Sequence, residues 1–582
     1  IQPTLALLDE TRLKLKKYFE TYKIIVRTSQ LPTDKKGNLF LLTAERVMEY
    51  ESLPSIDLLV IDEFYKLSLK RIDERADTLN NAFLKIVSKF NSKFYLLGPN
   101  IDGVTPGFAE KYNAVFYKSD FSLVDCNVID LSIQFDSSLK QRSLDKQKLT
   151  KLYPLLDELK DEQTLIYCST PARARRFAKG YLQHLCEQGI EPSIQLPLIE
   201  WIDKNVDPNW SLSKELCHGI AIHDGSLQKH IGASIIKYFN DNLLNYIFCT
   251  STIIEGVNTS AKNVVFFDAQ KGGNDIDFFD YSNIKGRSGR LMEHYVGNIY
   301  NFAPVPQRKP ITIDIPFYEQ DKKLLSDEIL INIEKQDIQQ QVADRYNKLF
   351  EIEPNLIEII KKNGTNIEGQ MRIYHTLKID INTSQYDNIA WSQMPNWNKL
   401  LYILKLAENN IFNFKTKHGV MSARQLAYYI DIYRRNKNIM GVIKDIYSNK
   451  ISKIINPTQE QKYIHLDNSI EIGFHIYRHW FQFTVPKAFR VIDSLQRYVC
   501  TQNGKKSGSY SYFVQQLEND FIRANLSILI EYGIPSDTVR RIAPRIPDTL
   551  DEDNVVDFIK NNKKVVYSSL LQYEIDRLNQ AL

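Results

Sequence analysis

The stretch IDLLVIDEF, residues 56–64, is an apolar run of strand length that ends in two adjacent carboxylates, Asp62 and Glu63. Similar apolar runs stand at 23–29, 38–45 and 93–100, and amphipathic helical patterns stand at 7–22 and 78–90. Strands that are buried on both faces of a parallel sheet are almost continuously apolar, and helices connect them. The stretch and its surroundings therefore predict an α/β domain built on a parallel sheet.

The same alternation of strand and helix patterns begins again after about residue 140. Strands are predicted at 163–170, 218–226, 245–252, 263–269 and 297–302, and helices at 171–185 and 228–241. We therefore predict two tandem α/β units, residues 1–130 and 163–315, with a linker region at 131–162. Sheets of this kind bind their ligands outside the carboxyl ends of the strands.

The remainder of the chain, residues 316–582, lacks this strand pattern. Its apolar positions recur at helical spacing in segments such as SARQLAYYIDIYRRN (422–436) and AFRVIDSLQRYV (488–499). We predict a mainly helical C-terminal region. The expected fold class is thus α/β, with two tandem parallel-sheet domains followed by helices.

Composition narrows the class of protein. The 582 residues are 43% hydrophobic and 25% charged, which is ordinary for a soluble globular protein, and the net charge of +4 permits nucleic-acid binding without arguing for it. The six cysteines show no CxxC spacing, which argues against zinc and disulfides and favours the reducing cytoplasm. No apolar run approaches the roughly 18 residues that cross a bilayer, so no membrane partner is expected.

Asp62 and Glu63 follow a hydrophobic strand, which is the arrangement of a Walker B motif. In that arrangement the first carboxylate holds Mg²⁺ and the second orients or deprotonates the attacking water. Carboxylates are also common where strands pass into loops, so the pair taken alone is equally consistent with a structural role.

Hydroxyl groups stand at further predicted junctions between strand and helix. They are Thr4, Thr43 (with Arg46 in the following helix), Thr170 and Thr250. Hydroxyls and backbone N–H groups at helix N-termini suit phosphate groups. Simple helix capping is the better explanation of the Thr4 and Thr43 segments when each is taken alone, and the Thr170 and Thr250 segments are also explicable as structure.

A glycine and arginine pattern stands between the predicted strands 263–269 and 297–302 of the second α/β unit, in YSNIKGRSGRL (281–291). It places Arg287 and Arg290 three residues apart, each directly after a glycine. Glycine lets a backbone approach a partner closely, and arginine offers a permanently charged fork suited to phosphate. A solvated surface loop is the alternative for an isolated segment of this composition.

The order of these segments resembles the core of superfamily 2 helicases. Pro3-Thr4-Leu5 resembles motif Ia, LLTAER motif Ib, VIDEFY motif II, LLGPN a divergent motif III, LIYCST motif IV, TSTIIEGVN motif V and NIKGRSGR motif VI. HGIAIHDGSLQKHI (218–231) and GVNTSAKNVVFFD (256–268) are similar to the Ski2-like branch. The resemblance covers about residues 1–305, and it implies two RecA-like domains.

The resemblance assigns roles to particular residues. Asp62 and Glu63 are expected to hold Mg²⁺ and catalyse ATP hydrolysis. Gly256, Asn258, Arg287 and Arg290 are expected to contact ATP, with both arginines acting on its γ-phosphate as arginine fingers. The residues expected to hold the backbone of a nucleic-acid strand are Pro3, Thr4, Thr43, Arg46, Thr170 and Thr250.

Three departures from the family pattern stand out. Tyr65 occupies the place where relatives usually have His or Asp, and LLGPN (96–100) replaces the usual Ser-Ala-Thr of motif III. The third is that no GxxxxGK[ST] phosphate-binding loop occurs in the 582 residues. Because the chain begins without Met, as if at the end of a strand, we expect this loop in residues upstream; the alternative is a pseudo-ATPase.

The resemblance implies an ATP-dependent helicase or translocase that moves 3′→5′ on single-stranded DNA or RNA. The divergent DEFYK box and the helical tail resemble helicases of bacterial anti-phage systems of the Hachiman type, which act with a nuclease partner. The alternative is a non-hydrolysing nucleic-acid-binding scaffold that acts with a partner protein. The residues do not distinguish DNA from RNA.

Overall fold

The computed structural model describes residues 1–33, 36–50, 52–71, 73, 75–99, 101–119, 124–252, 259, 261–289, 295–414 and 419–582. These residues form two compact units, and each unit draws on separate parts of the chain. The first unit comprises Ile1–Lys118, Thr312–Val442 and His475–Ala524. The second comprises Ser119–Ile311, Ile443–Phe474 and Asn525–Leu582.

The strands lie almost entirely in the first half of the chain. Their bounds are β1 Tyr22–Ile25, β2 Gly37–Phe40, β3 Leu58–Asp62, β4 Lys93–Leu97, β5 Gly103–Val104, β6 Asp125–Asp130, β7 Thr164–Tyr167, β8 Ile220–His223, β9 Tyr246–Cys249, β10 Asn263–Phe266, β11 Gln270–Lys271, β12 Asn274–Asp275, β13 Val296–Asn301 and β14 Thr312–Ile313. Apart from the short hairpin β11–β12, every strand pair in the described residues is parallel.

Helices connect these strands and make up most of the chain after residue 315. Their bounds are Leu5–Leu15, Ala44–Glu49, Ala76–Phe90, Phe108–Lys111, Gln141–Glu158, Pro171–Glu187, Pro197–Asn205, Ser211–Cys217, Lys229–Asn240, Phe278–Lys285, Pro316–Glu319, Asp327–Leu330, Ala343–Leu349, Pro354–Asn363, Ile367–Asp380, Tyr386–Ile389, Trp397–Ala407, Ala423–Asn436, Met440–Ile451, Gln459–His475, Val485–Gln502, Ser511–Glu518, Ser527–Glu531, Ser536–Ile542, Glu552–Asn561, Lys563–Val566 and Gln572–Ala581. The predicted α/β class with a helical C-terminal region is confirmed.

In the first unit, β1 pairs with β2 and β3 pairs with β4. Ile1 and Gln2 lie between the two pairs: the Ile1 carbonyl accepts a hydrogen bond from the Asp62 N–H at 3.2 Å, and the Gln2 N–H donates to the Leu42 carbonyl at 3.0 Å. These bonds join the pairs into one run of neighbouring strands. The segments that follow Gln2, β2 and β3 consequently emerge at the same edge.

One face of β3 and β4 differs from the expectation of a sheet buried on both sides. Leu59 and Ile61 are buried, whereas Leu58, Val60 and Tyr95 are exposed. Helix Ala76–Phe90 covers the buried side. The ring centre of Phe83 in this helix lies 5.4 Å from that of Phe94 in β4.

The second unit is built on six parallel strands among its described residues, in the order β6-β13-β10-β7-β9-β8. The central strands β7, β9 and β10 are buried along their whole length, which explains why their apolar runs predict where each strand begins to within one residue; the predicted ends lie three residues too far along the chain. The edge strand β6 was not predicted. It lies next to β13, and so residues 125–130 belong to this sheet rather than to the sheet of the first unit.

The helical C-terminal region contributes to both units. Helices between Pro316 and Asn436 pack in the first unit, together with helix Val485–Gln502. Helix Gln459–His475 up to Phe474 and the helices after Asn525 pack in the second. The contacts group the residues into units that each combine several segments of the chain. The segment boundaries 1–130, 131–162, 163–315 and 316–582 remain predictions.

A π-helix, Ile476–Thr484, interrupts the long helical stretch that begins at Gln459. The N–H of Val485 donates to the carbonyl of Trp480, five residues earlier. Pro486 explains the wider turn, because a proline lacks an N–H and its ring clashes with the carbonyl four residues before it. Helical periodicity alone does not predict this change of register.

A buried carboxylate without a hydrogen-bond partner lies in the second unit. Glu215, in helix Ser211–Cys217, is 0% exposed, and neither of its carboxylate oxygens has a hydrogen-bond partner. Burial raises the pKa of Glu215 to about 8; the negative charge of Asp467 acts in the same direction, and the positive charges of Lys179 and Arg175 oppose it. The folded protein therefore keeps a proton on Glu215 at pH values where the unfolded chain has lost it.

We expect the stability of the protein to fall as the pH rises from about 4.5 to about 8, because the folded state binds the extra proton over that range. Glu215→Gln, which is permanently neutral, should remove this part of the pH dependence. It should also raise the free energy of unfolding at pH 8 by about 1–3 kcal/mol. Urea unfolding at pH 6 and pH 8 measures both effects.

The matched control is Glu191→Gln, which neutralises an exposed glutamate of the same unit. Its unfolding curves should follow those of the wild type at both pH values. Equal behaviour of the Glu215 and Glu191 variants would contradict the buried, protonated state of Glu215.

Candidate active site and nucleic-acid interface

The carboxylate pair of the first unit stands at the end of β3. Asp62 is the last residue of the strand, and Glu63 adopts a left-handed backbone conformation with φ of 58°. A 3₁₀ turn, Phe64–Leu67, follows directly. A left-handed conformation is costly for a residue other than glycine, and such residues are concentrated at functional sites.

Asp62 is partly removed from water. Burial raises the pKa of its carboxyl group, and a hydrogen bond with the Glu63 backbone opposes that rise. A divalent cation would favour the ionised form and offset the cost of burial. Mg²⁺ usually takes one or two protein carboxylates together with phosphate oxygens and water, so Asp62 and Glu63 fit such an ion.

Tyr65, the departure from the family pattern, is buried beside the pair. The guanidinium of Arg71 and the ammonium of Lys66 each lie 5.8 Å from its ring centre. Lys66 also forms an ion pair with Asp73 at 3.2 Å. A tyrosine here therefore contributes an aromatic face to cations rather than a titrating imidazole.

Thr4 and Thr43 are both N-caps in the first unit. The Thr4 hydroxyl accepts from the Leu7 N–H at 3.2 Å, and the Thr43 hydroxyl accepts from the Arg46 N–H at 3.5 Å. Because Thr4 follows Gln2 and Thr43 follows β2, both lie at the sheet edge where β3 ends in Asp62. The capping alternative is therefore correct for both, while their contact with nucleic acid remains a prediction.

The other two predicted contacts of this unit have structural partners. The Arg46 guanidinium donates to the Val26 carbonyl at 2.8 Å. The Pro3 carbonyl accepts from the Arg75 guanidinium, also at 2.8 Å. The first bond ties Arg46 to the end of β1, and the second ties Pro3 to the start of helix Ala76–Phe90.

In the second unit, Thr170 caps helix Pro171–Glu187 through the Arg173 N–H at 3.4 Å. The Arg173 side chain is held from two sides: it makes a two-pronged bond to Asp145, with both distances 2.8 Å, and another to Asp268, with distances of 2.8 and 2.6 Å. This arginine is thus part of the scaffold rather than a group available to phosphate. Sequence reasoning missed both aspartates.

Arg175 is similarly engaged. It donates to Asp224 at 2.7 Å and to the Ser226 hydroxyl at 2.6 Å, and it pairs with Glu471 at 2.5 Å. Burial acts to raise the pKa of Asp224, but the charge of Arg175 and bonds from Ser226 hold it below the usual value. The basic face of this helix is therefore neutralised within the unit.

Thr250, at the end of β9, belongs to a small cluster of polar groups. Its hydroxyl lies 3.3 Å from that of Thr252, which lies 3.3 Å from Nδ1 of His223 at the end of β8. Thr250 is buried, with 6% of its surface exposed. His223 is a polar group of this edge that the sequence analysis did not single out, although its place at the end of an apolar strand marks it.

The glycine and arginine segment is anchored through its backbone. Arg287 and Gly289 exchange hydrogen bonds with Ala261, at 2.9 and 2.7 Å, and the Arg287 guanidinium donates to the Thr259 carbonyl at 3.4 Å. Gly289 has φ of +84°, the left-handed conformation that favours glycine. The remaining residues predicted for ATP, namely Arg290, Gly256 and Asn258, lie outside the described residues.

Gly297 of β13 makes this anchoring possible. A Cβ atom at position 297 would lie 2.5 Å from the carbonyl carbon of Ser288 and would also collide with the Gly289 nitrogen. Only a residue without a side chain lets the segment approach so closely. The position of Arg287 therefore depends on a glycine that the motif itself does not contain.

Comparison with known proteins finds similarity to an anti-phage protein and to helicases. It is 28% identical over 586 residues to Anti-bacteriophage protein B of Escherichia coli K12, covering 97% of this chain and 77% of that protein. It is 24% identical over 320 residues to ATP-dependent DNA helicase Hel308 of Methanococcus vannielii, covering 50% of this chain and 42% of that protein. Helicase POLQ-like of Drosophila melanogaster matches 44% of the chain at 24% identity.

These similarities confirm the resemblance to superfamily 2 helicases of the Ski2-like branch, and they include an anti-phage protein. No family model matches the chain. Within the described residues, no group of three or more His, Cys, Asp or Glu side chains could hold a metal ion. Over the same residues, no helix combines the length and apolar character needed to span a membrane.

We expect Gly297→Ala to destabilise the protein by about 1–3 kcal/mol, since the added methyl group meets backbone atoms that cannot rotate away. Gly273→Ala is the matched control, because a Cβ atom there meets nothing within 4 Å. Urea unfolding of both variants tests the difference. Equal stabilities would show that the segment around Ser288 does not pack on β13 as described.

Proposed function

We propose that this protein is an ATP-dependent helicase or translocase of superfamily 2, moving 3′→5′ on a single nucleic-acid strand in anti-phage defence. The observation that carries the proposal is the edge of the first sheet. There the carboxylates of Asp62 and Glu63 share an edge with the capped helix starts at Thr4 and Thr43. One edge thus offers groups for phosphate transfer and groups for a phosphate backbone.

The two parallel sheets are proposed to be tandem RecA-like domains. Their strands were predicted from apolar runs, the family resemblance implies RecA-like domains, and the similarity to Hel308 supports this assignment. Because that relative is named a DNA helicase, DNA is the favoured substrate. Thr4, Thr43, Thr170 and Thr250, with Pro3 and Arg46, are proposed to contact the strand through its backbone, which gives little sequence preference.

ATP and Mg²⁺ are the proposed cofactors. Mg²⁺ bound at Asp62 would neutralise charge on the phosphates, and Glu63 would orient the attacking water. Arg287 and Arg290 would stabilise the charge that develops on the γ-phosphate, and Gly256 and Asn258 would contact the nucleotide. A nuclease subunit is the proposed protein partner, by analogy with defence helicases of the Hachiman type.

The decisive measurement is ATP turnover by the protein produced from its complete reading frame, with and without single-stranded DNA or RNA. We expect a strand to stimulate turnover. Glu63→Gln and Arg287→Ala should each lower kcat by about 10³-fold or more, since each removes a group that acts on the phosphoryl transfer. Glu110→Gln, which changes an exposed glutamate of the first unit, is the matched control.

A second candidate is a non-hydrolysing nucleic-acid-binding scaffold, which is favoured by the absence of GxxxxGK[ST] from the 582 residues. Turnover by the wild type that does not exceed that of Glu63→Gln, together with tight binding of a strand, would select the scaffold. Stimulated turnover that both substitutions abolish would select the motor, and the better stimulant would identify the nucleic acid.

A further inference from the structure

The loop that follows the carboxylate pair needs support from elsewhere in the fold. Glu63 is left-handed, and a residue other than glycine keeps such a conformation only where its surroundings determine it strongly. Upstream, β3 fixes Asp62 through its pairing with β4. Downstream, the segment 63–69 leaves the sheet, so its own contacts must fix its course.

Part of that support is local. The Lys66 N–H donates to the Glu63 carbonyl at 3.0 Å, which closes the 3₁₀ turn. Asn80 of the following helix donates to the carbonyl of Leu67 at 2.8 Å. Asn80 is 0% exposed, so this bond is shielded from water.

The end of the segment is held by a residue 245 positions away. One carboxylate oxygen of Asp314 accepts from the Ser68 hydroxyl, and the other accepts from the Leu69 N–H at 3.0 Å. Asp314 is 5% exposed and Ser68 is 1% exposed. Bonds to an ionised acceptor that water cannot reach are stronger than neutral ones.

Asp314 is itself firmly placed. It follows β14, which pairs in parallel with β5. On either side of it, the Ile313 carbonyl accepts from the Thr105 N–H at 3.0 Å, and the Ile315 N–H donates to the Thr105 hydroxyl at 2.9 Å. Two fixed neighbours therefore aim the carboxylate at Ser68 and Leu69.

We propose that Asp314 is a positioning residue for ATP hydrolysis: by binding Ser68 and Leu69 it holds the 63–69 segment, and with it the left-handed Glu63, in the geometry that catalysis uses. The inference rests on the proposed function of Glu63. It assigns the role to a residue that lies outside every motif of the sequence analysis, in the segment where the chain returns to the first unit.

The test compares Asp314→Asn and Asp314→Ala with the wild type in strand-stimulated ATP turnover. Asparagine keeps one acceptor and presents an amide N–H to the other donor, whereas alanine removes both acceptors. We expect kcat to fall at least fivefold in Asp314→Asn and further in Asp314→Ala. The KM for ATP and the Kd for single-stranded DNA should remain within twofold, because those contacts lie elsewhere.

Asp520→Asn is the matched control for the loss of a buried carboxylate. Asp520 is 1% exposed, lies in the same unit and accepts hydrogen bonds from the hydroxyls of Tyr433 and Tyr477. We expect this variant to lose stability but to retain kcat at a temperature where it is folded. Amide hydrogen exchange should speed up over residues 63–69 in the Asp314 variants and not in Asp520→Asn.

The outcomes separate the two proposals. Wild-type protein without strand-stimulated turnover would overturn the proposed function, and the inference with it. Active wild type with an unchanged kcat in folded Asp314→Ala would overturn the inference alone. A fall in kcat of equal size in Asp520→Asn would also overturn it, because general destabilisation would then explain the loss.

Discussion

The direction shared by all strands of a parallel sheet is the constraint on which the rest of this structure depends. Each strand delivers its following residue to one edge, and this is why Asp62, Thr4 and Thr43 share an edge although they come from separate segments. In the second unit the same constraint places Thr170 and Thr250 after the neighbouring strands β7 and β9. A functional side chain therefore needs only to follow a strand in the sequence, because the sheet then brings it to the shared edge.

Much of the fold could be predicted because its strongest signals are local. Strands β7, β9 and β10 are short, mostly apolar and buried throughout, and such runs are typical of strands in the interior of a parallel sheet. Strand β6, in contrast, has the sequence DCNVID, and most of its residues are exposed because β13 covers it on one side only. An edge strand of polar composition has no pattern that separates it from a loop, and only the completed sheet identifies it.

The candidate site shows the same division between local and distant information. Helix capping by Thr4, Thr43 and Thr170 follows from each residue and the helix after it. The ion pairs of Arg173 cannot be predicted locally, because its partners Asp145 and Asp268 come from other elements. In a sequence, an arginine-rich helix start suggests phosphate binding. In the folded protein, buried aspartates form ion pairs with the same arginines.

The glycine and arginine segment shows where a motif stops being sufficient. Its arginines are the groups proposed to act on ATP, but the backbone that carries Arg287 is placed by hydrogen bonds to Ala261 and by the open space at Gly297. A side chain can act on a phosphate only if its Cα is fixed to within a fraction of an ångström, and long side chains cannot supply that rigidity. At Arg287 the residues that determine this accuracy are therefore the small residues Ala261 and Gly297, and neither arginine of the motif can replace them.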